Sequence, residues 1–127
     1  MIKLDVKPLI SVGEVEFGMP REKVRQLFGA YSEFRKTPNS VKTTDAFSFC
    51  HVFYDANDCC EAIEIFDAEV FINHQKVFPC STSEIESLLP NSTEEYGSYL
   101  DIDRSIGIYA PDDQAESILF GCNGYYR

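Results

Sequence analysis

Apolar and polar residues alternate along several short stretches of this chain and take helical spacing along only two. Gly13 to Met19 alternates and predicts a short strand. Pro20 follows, and its fixed φ suits a first helical position. Val24, Leu27 and Phe28 then recur on one helical face and Gly29 offers a stop, so the first helix is predicted over residues 20–28. Ser32 to Asp45 is polar, with Thr37-Pro38-Asn39-Ser40 as a loop signal. Phe47 to Tyr54 alternates and is rich in aromatics, which predicts a strand. Asp55-Ala56-Asn57-Asp58 is turn chemistry, and Cys60 to Phe66 is the returning strand. Glu69–Ile72 and Lys76–Phe78, around Asn73-His74-Gln75, predict a second hairpin.

The second helical stretch is Ser81 to Leu89, ended by Pro90. Ser81 and Glu84 are spaced as a capping box, in which each side chain serves a free amide of the first turn. A polar loop is expected from Asn91 to Gly97. Strands are expected over Ser105–Ala110 and Ala115–Phe120, around the turn Pro111-Asp112-Asp113-Gln114. Gly121 to Arg127 reads as a tail or an edge strand.

The two halves can be laid over one another. With an offset of 61, Phe17 meets Phe78, Val24 meets Ile85, Leu27 meets Leu88, and Gly29 meets Pro90. With six residues dropped from the intervening loop, Tyr54 meets Tyr109, Asp58 meets Asp113, Glu61 meets Glu116 and Ile63 meets Ile118. The expected fold is therefore α+β: one domain over 1–127, made of two degenerate strand-helix-hairpin repeats at about 13–66 and 69–121. Helices would pack on one face of an antiparallel sheet. Alternation puts Phe53, Ile63, Ile65, Ile108, Ile118 and Phe120 toward the helices. It leaves Cys50, Val52, Tyr54, Ala62, Glu64, Phe66, Gly107, Tyr109, Ser117 and Leu119 on the opposite, mixed face. Such a face is either a recognition surface, covered by loops or the tail, or paired with a second copy.

Charge narrows the partners. The net charge is −10, from 21 acidic against 11 basic residues. That disfavours nucleic acid and anionic membranes, which select for basic patches, and permits a cationic partner. No stretch approaches the roughly 18 apolar residues of a membrane span. The first residues carry an early Asp5 and no long apolar run, so no signal peptide is expected. Five cysteines (Cys50, Cys59, Cys60, Cys80 and Cys122) are an odd number with two adjacent, which fits reduced thiols in a cytoplasm.

Candidate chemistry adds little. Cys50 and His51 are neighbours, but on a strand they point to opposite faces and cannot act on one another. His51 falls opposite Ile106 in the overlay and reads as a packed histidine; His74 lies in a turn. Cys59-Cys60 lacks the Cys-x-x-Cys spacing of zinc and redox sites. Asp55/Asp58/Glu61 and Asp112/Asp113/Glu116 do not follow the calcium loop and read as solvated ends of equivalent hairpins. No phosphate loop, nucleophile elbow or metal-binding His pair is present. No catalytic residue, metal or cofactor is expected.

Val15 to Gly29, with Gly18-Met19, an acidic-basic pair and a Val…Leu-Phe-Gly ending, resembles the strand-to-helix start of SmpA/BamE-type domains. Two such units in tandem resemble the architecture of the β-lactamase-inhibitor-protein type. The second copy departs from the motif, with Phe78-Pro79-Cys80-Ser81 where Phe-Gly-Met would stand. The resemblance implies a sheet whose free face binds another protein. By analogy of size, acidity and style, the chain is also similar to the immunity proteins that bacteria encode beside toxins. The functional expectation is a non-enzymatic, cytoplasmic inhibitor of a basic, nuclease-type toxin. It would bind through Tyr54, Glu64, Phe66 and Tyr109, flanked by Asp55, Asp58, Glu61, Asp112, Asp113 and Glu116. The alternatives are a homodimeric structural module and a small thiol-dependent enzyme or ligand-binding domain.

Overall fold

A computed structural model describes residues 2–127; Met1, at the edge of the expected domain, lies outside them. Strands dominate. The fold is mostly β, with 43% strand against 12% helix, which overturns the expected α+β class with helices packed on a sheet.

The first five-stranded sheet takes in the chain's beginning and middle. Its strands are β1 (Lys3–Lys7), β2 (Ser11–Val12), β3 (Val15–Glu16), β8 (Glu69–Ile72) and β9 (Gln75–Phe78), in the order β3-β2-β1-β8-β9. The β1–β8 pairing is parallel, Leu4 opposite Val70. Asn73 and His74 both take positive φ, at 49° and 66°, which lets a two-residue turn follow the sheet twist between β8 and β9. Of the strand expected over 13–19, only Val15–Glu16 forms.

The second sheet has eight antiparallel strands: β4 (Ser32–Phe34), β5 (Thr44–Ala46), β6 (Cys50–Tyr54), β7 (Cys60–Ile65), β10 (Thr93–Glu95), β11 (Ser98–Asp101), β12 (Ile106–Tyr109) and β13 (Ser117–Gly121). Their order is β10-β11-β12-β13-β7-β6-β5-β4, so each half of the chain supplies one four-stranded meander and the two meet at β13 and β7. Three of these strands, β4, β5 and β10, lie where loops were expected, and β11 lies in a stretch for which no element was expected. Ser32–Phe34 and Thr93–Glu95 are exposed along their length and carry no apolar alternation that a pattern could register. The last residues, 123–126, form turns rather than an edge strand.

Helix α1 (Arg21–Phe28) forms where its spacing predicts, with Pro20 extended before it and the Gly29 amide closing on Arg25 O at 2.9 Å. The second helix is shorter than expected. A 3₁₀ turn at Thr82–Glu84 runs into α2 (Ile85–Leu88). The Ser81 amide and hydroxyl both donate to Glu84 Oε1 at 2.9 Å, and these bonds hold the Glu84 carboxyl below its usual range. Two helices this short cannot cover an eight-stranded sheet. The five-stranded sheet covers it with them. Leu4, Val6, Val12, Val15, Val70 and Phe78 from the small sheet join Val52, Ile63, Ile65, Ile106, Ile108, Ile118 and Phe120 from the large one, with Val24, Ile85 and Leu89, in a single core. Among the described residues no helix is long and apolar enough to cross a membrane.

The halves are tied in the same way. The Arg21 amide donates to Asp58 O at 3.0 Å and the Thr82 amide to Asp113 O at 2.8 Å. The Cys60 amide donates to Met19 O at 2.8 Å and the Ala115 amide to Cys80 O at 3.0 Å. In each half, then, the start of the helix is pinned to the tip of that half's hairpin.

Candidate functional site

The site follows from which residues face away from the core. Directly paired residues of antiparallel strands share a face. Val52 pairs with Ile63, Ile63 with Phe120 and Phe120 with Ile106, all buried. The other face therefore carries His51, Phe53, Ala62, Glu64, Gly107, Tyr109, Ser117 and Leu119. This corrects the assignment of β6. Cys50, Val52 and Tyr54 belong to the core face, and Phe53 to the free one. The cause is a register slip of one residue in the overlay. In the pairing, Val52 occupies the place that Ile108 has in the other half, so Tyr54 is the counterpart of Ala110 and not of Tyr109. A slip of one inverts every side chain on a strand.

Tyr54 is only 5% exposed and helps to close a buried ionic network. Its hydroxyl donates to Asp45 Oδ2 at 2.8 Å. Arg25 donates to both Asp45 oxygens at 2.8 Å, which raises the guanidinium above its ordinary range. Arg21 lies over the Tyr54 ring at 4.1 Å, donates to Thr43 Oγ1 and Thr43 O at 2.8 Å, and reaches Asp58 Oδ1 at 3.0 Å. Asp45 is fully buried, so this part of the cluster fastens α1 to β5, and only the outer carboxylates, Asp58 on Arg21 and Glu33 on Arg25, reach the surface.

Of the residues expected to bind, Glu64, Phe66 and Tyr109 do share the free face. Ser117 Oγ donates to Glu64 Oε2 at 2.8 Å, across the seam where the two meanders join. Phe66 is 40% exposed, and its ring meets His51 edge-on at 5.0 Å. His51 meets Phe34, 37% exposed, in the same way at 5.0 Å. Tyr109 stands 44% exposed on the other side of the seam. An aromatic stripe therefore runs across the sheet around one carboxylate. Sequence reasoning missed Phe34 because its strand looks like a loop; His51 is packed, as expected, but between two rings of the free face.

The tail covers part of this face. Gly107 and Gly121 have no side chains, and the space goes to two tyrosines: a Cβ on Gly121 would lie 2.6 Å from Tyr125 Cβ, and one on Gly107 would overlap the Tyr126 hydroxyl. Burial, then the neighbouring Tyr125 and Glu64, push the Tyr126 phenol above its ordinary range. Between Tyr126, Tyr109, Leu100, Leu119, Ser117 and Glu64 a cavity of about 230 Å³ remains open.

The acidic turns are placed less favourably. Asp55 is spent on its own turn, accepting the amides of Asn57 at 2.9 Å and Cys59 at 3.1 Å. Asp58 is paired with Arg21 and lies 3.8 Å from Lys42. Glu61 is raised by burial and by Asp55. Asp112, Asp113 and Glu116 are exposed, but the Asp112 and Asp113 carbonyls hold Thr82. A second cleft of about 390 Å³ opens between Lys36, Lys42, Phe53, Asp55, Glu61 and Tyr125. Cys50, Cys60 and Cys80 are buried, and Cys59 and Cys122 partly so. Among the described residues no group of three or more His, Cys, Asp or Glu side chains converges on a metal position.

Comparison of the chain with family models, curated proteins and solved structures finds no match.

Proposed function

We propose that this chain is a non-enzymatic, cytoplasmic protein-binding domain of the immunity-protein kind, which neutralises a basic, nuclease-type toxin by laying the free face of its eight-stranded sheet over the toxin's functional surface. The observation that carries this reading is the exposed stripe of Phe34, Phe66 and Tyr109 around Glu64, in a chain of net charge −10. Aromatic anchors surrounded by polar groups are what protein interfaces select, and an acidic field speeds encounter with a basic partner. The sheet below is held rigid by the core, so the face is organised before binding, which lowers the ordering cost of association.

Co-expression with the product of the adjacent upstream gene tests the reading. A complex that protects the cell, and that is lost in Tyr109→Arg and Phe66→Glu, supports it. Absence of both complex and protection overturns it. So does a concentration-dependent dimer in sedimentation that the same two variants dissolve, because the face would then close on a second copy.

A further inference from the structure

The cavity beside Gly107 suits one kind of occupant, and the inference here rests on the reading that the free face docks a protein. We propose that this cavity receives an arginine side chain of the partner. Its volume of about 230 Å³ lies below the roughly 300–1,000 Å³ of small-molecule sites and matches a single inserted side chain. Gly107 lies on its wall, and the missing Cβ there lets the Tyr126 hydroxyl come in beside it as a second wall.

Its chemistry is one-sided. Glu64 is half-buried at the wall, and among the described residues no Lys, Arg or His lies within ion-pair distance of it. Ser117 occupies Oε2 alone, which leaves the other oxygen to accept. Tyr109 and Tyr126 supply aromatic surface and Leu100 and Leu119 apolar surface. A guanidinium satisfies all three features: its planar fork pairs with a carboxylate, its face stacks on tyrosine, and its stem packs on leucine. An ammonium is compact and strongly hydrated, lacks the planar fork and lies over aromatic rings less often, so lysine fits less well. The larger cleft near Lys36 carries charges of both signs and selects neither.

The cavity is tested on the full chain alone, by titrating N-acetyl-arginine methylamide and following backbone amide resonances. Saturable shifts are expected at Gly107, Ser117, Leu119 and Tyr126. The lysine analogue binds more weakly and the norleucine analogue leaves the spectrum unchanged. Glu64→Gln, which keeps shape and fold, weakens the arginine probe by about tenfold, the worth of one charge-assisted hydrogen bond. No shift at these residues, equal shifts at Asp112 and Asp113, or indifference to Glu64→Gln each overturns the proposal. A silent cavity in a chain that still captures the toxin through Tyr109 and Phe66 overturns the arginine pocket alone. A filled cavity in a chain that captures no toxin overturns the docking reading alone.

Discussion

The Tyr54 hydroxyl donates to Asp45 Oδ2 at 2.8 Å, and Asp45 has no solvent exposure at all. This bond joins β6 to β5 inside the core, and Arg25 completes it from α1 with two hydrogen bonds of 2.8 Å. Replacing Asp45 with Ala removes the one fully buried counter-charge of Arg25 and Arg21, strips the Tyr54 hydroxyl of its acceptor, and leaves the two guanidiniums only the half-exposed carboxylates of Glu33 and Asp58. Breaking a buried pair on one side costs about 3–5 kcal/mol. Urea unfolding of Asp45→Ala should show a loss of this size. A loss under about 1 kcal/mol would mean that water reaches the cluster and screens it.

Alkaline pH should destabilise the fold before it does anything else to it. Burial pushes the Cys60 thiol up to about 12, with Cys122 adding to the effect, and raises Cys50 and Tyr54 as well. A raised folded value means that the native state holds its proton more tightly than the unfolded chain. This stability is complete below the ordinary thiol range, near 8.5, and is lost as pH climbs through it toward the folded values. Each such group costs about 1.4 kcal/mol per pH unit in that window. Urea midpoints should fall steadily above about pH 9, and Cys60→Ala should flatten the slope by one group's share. A midpoint that stays level through this range sinks the prediction.

Thiol labelling separates the cysteines. Cys59 is partly exposed at the hairpin tip, while Cys50, Cys60 and Cys80 are enclosed. Only the thiolate reacts, so access and deprotonation decide the order. Cys59 should label first and Cys122, raised by burial and by Glu61, second. The three buried thiols should label only as fast as the protein opens. Rapid labelling of Cys50 in the native state would contradict its place on the core face.

The tail's tyrosines depend on two glycines. Gly121→Ala sets a Cβ 2.6 Å from Tyr125 Cβ, which no rotamer change relieves, because both atoms sit at the roots of their side chains. Overpacking of this kind costs about 1–3 kcal/mol. Tyr125→Ala removes the ring but keeps its Cβ, whereas Tyr125→Gly removes the clash itself. The double variant Gly121→Ala/Tyr125→Gly should therefore cost less than the sum of its parts in a double-mutant cycle. Additive costs would show that the tail does not lie on β13.

Much of the core is legible in the sequence, and the free face much less so. The hairpins of β6–β7, β8–β9 and β12–β13 were visible because each alternates and carries turn residues at its tip. Helix α1 was visible because Val24, Leu27 and Phe28 share a side. The outer strands β4 and β10 were invisible because exposed strands have no apolar period; what holds them is backbone pairing with β5 and β11. Strands β1 and β2 were missed as well, although Leu4 and Val6 alternate in β1. The site suffered from a subtler loss. Glu61 forms a bulge, so that Phe53 pairs with Ala62 but Tyr54 with Cys60, and overlaying tyrosine on tyrosine shifted β6 by one.

That slip yields the most direct comparison of the two faces. Tyr54 and Tyr109 are equivalent in the sequence overlay and opposite in the structure, 5% and 44% exposed. Truncating Tyr54 removes a buried ring, strips Asp45 of a hydroxyl donor and takes the stacking surface from under Arg21. Large aromatic truncations in cores cost about 3–5 kcal/mol. Truncating Tyr109 removes a ring that is nearly half exposed and lines an open cavity, so it leaves no closed void and costs about 1 kcal/mol, the centre of the range for point substitutions. Tyr54→Ala should thus unfold at a far lower urea concentration than Tyr109→Ala, with Tyr109→Ala only slightly below the parent chain. Binding should reverse the ranking of the pair. Tyr54→Phe, which keeps the ring, should still bind the proposed partner, while Tyr109→Ala binds it weakly despite its intact fold. Equal stability losses at the two positions would return Tyr54 to the free face and undo the assignment of β6.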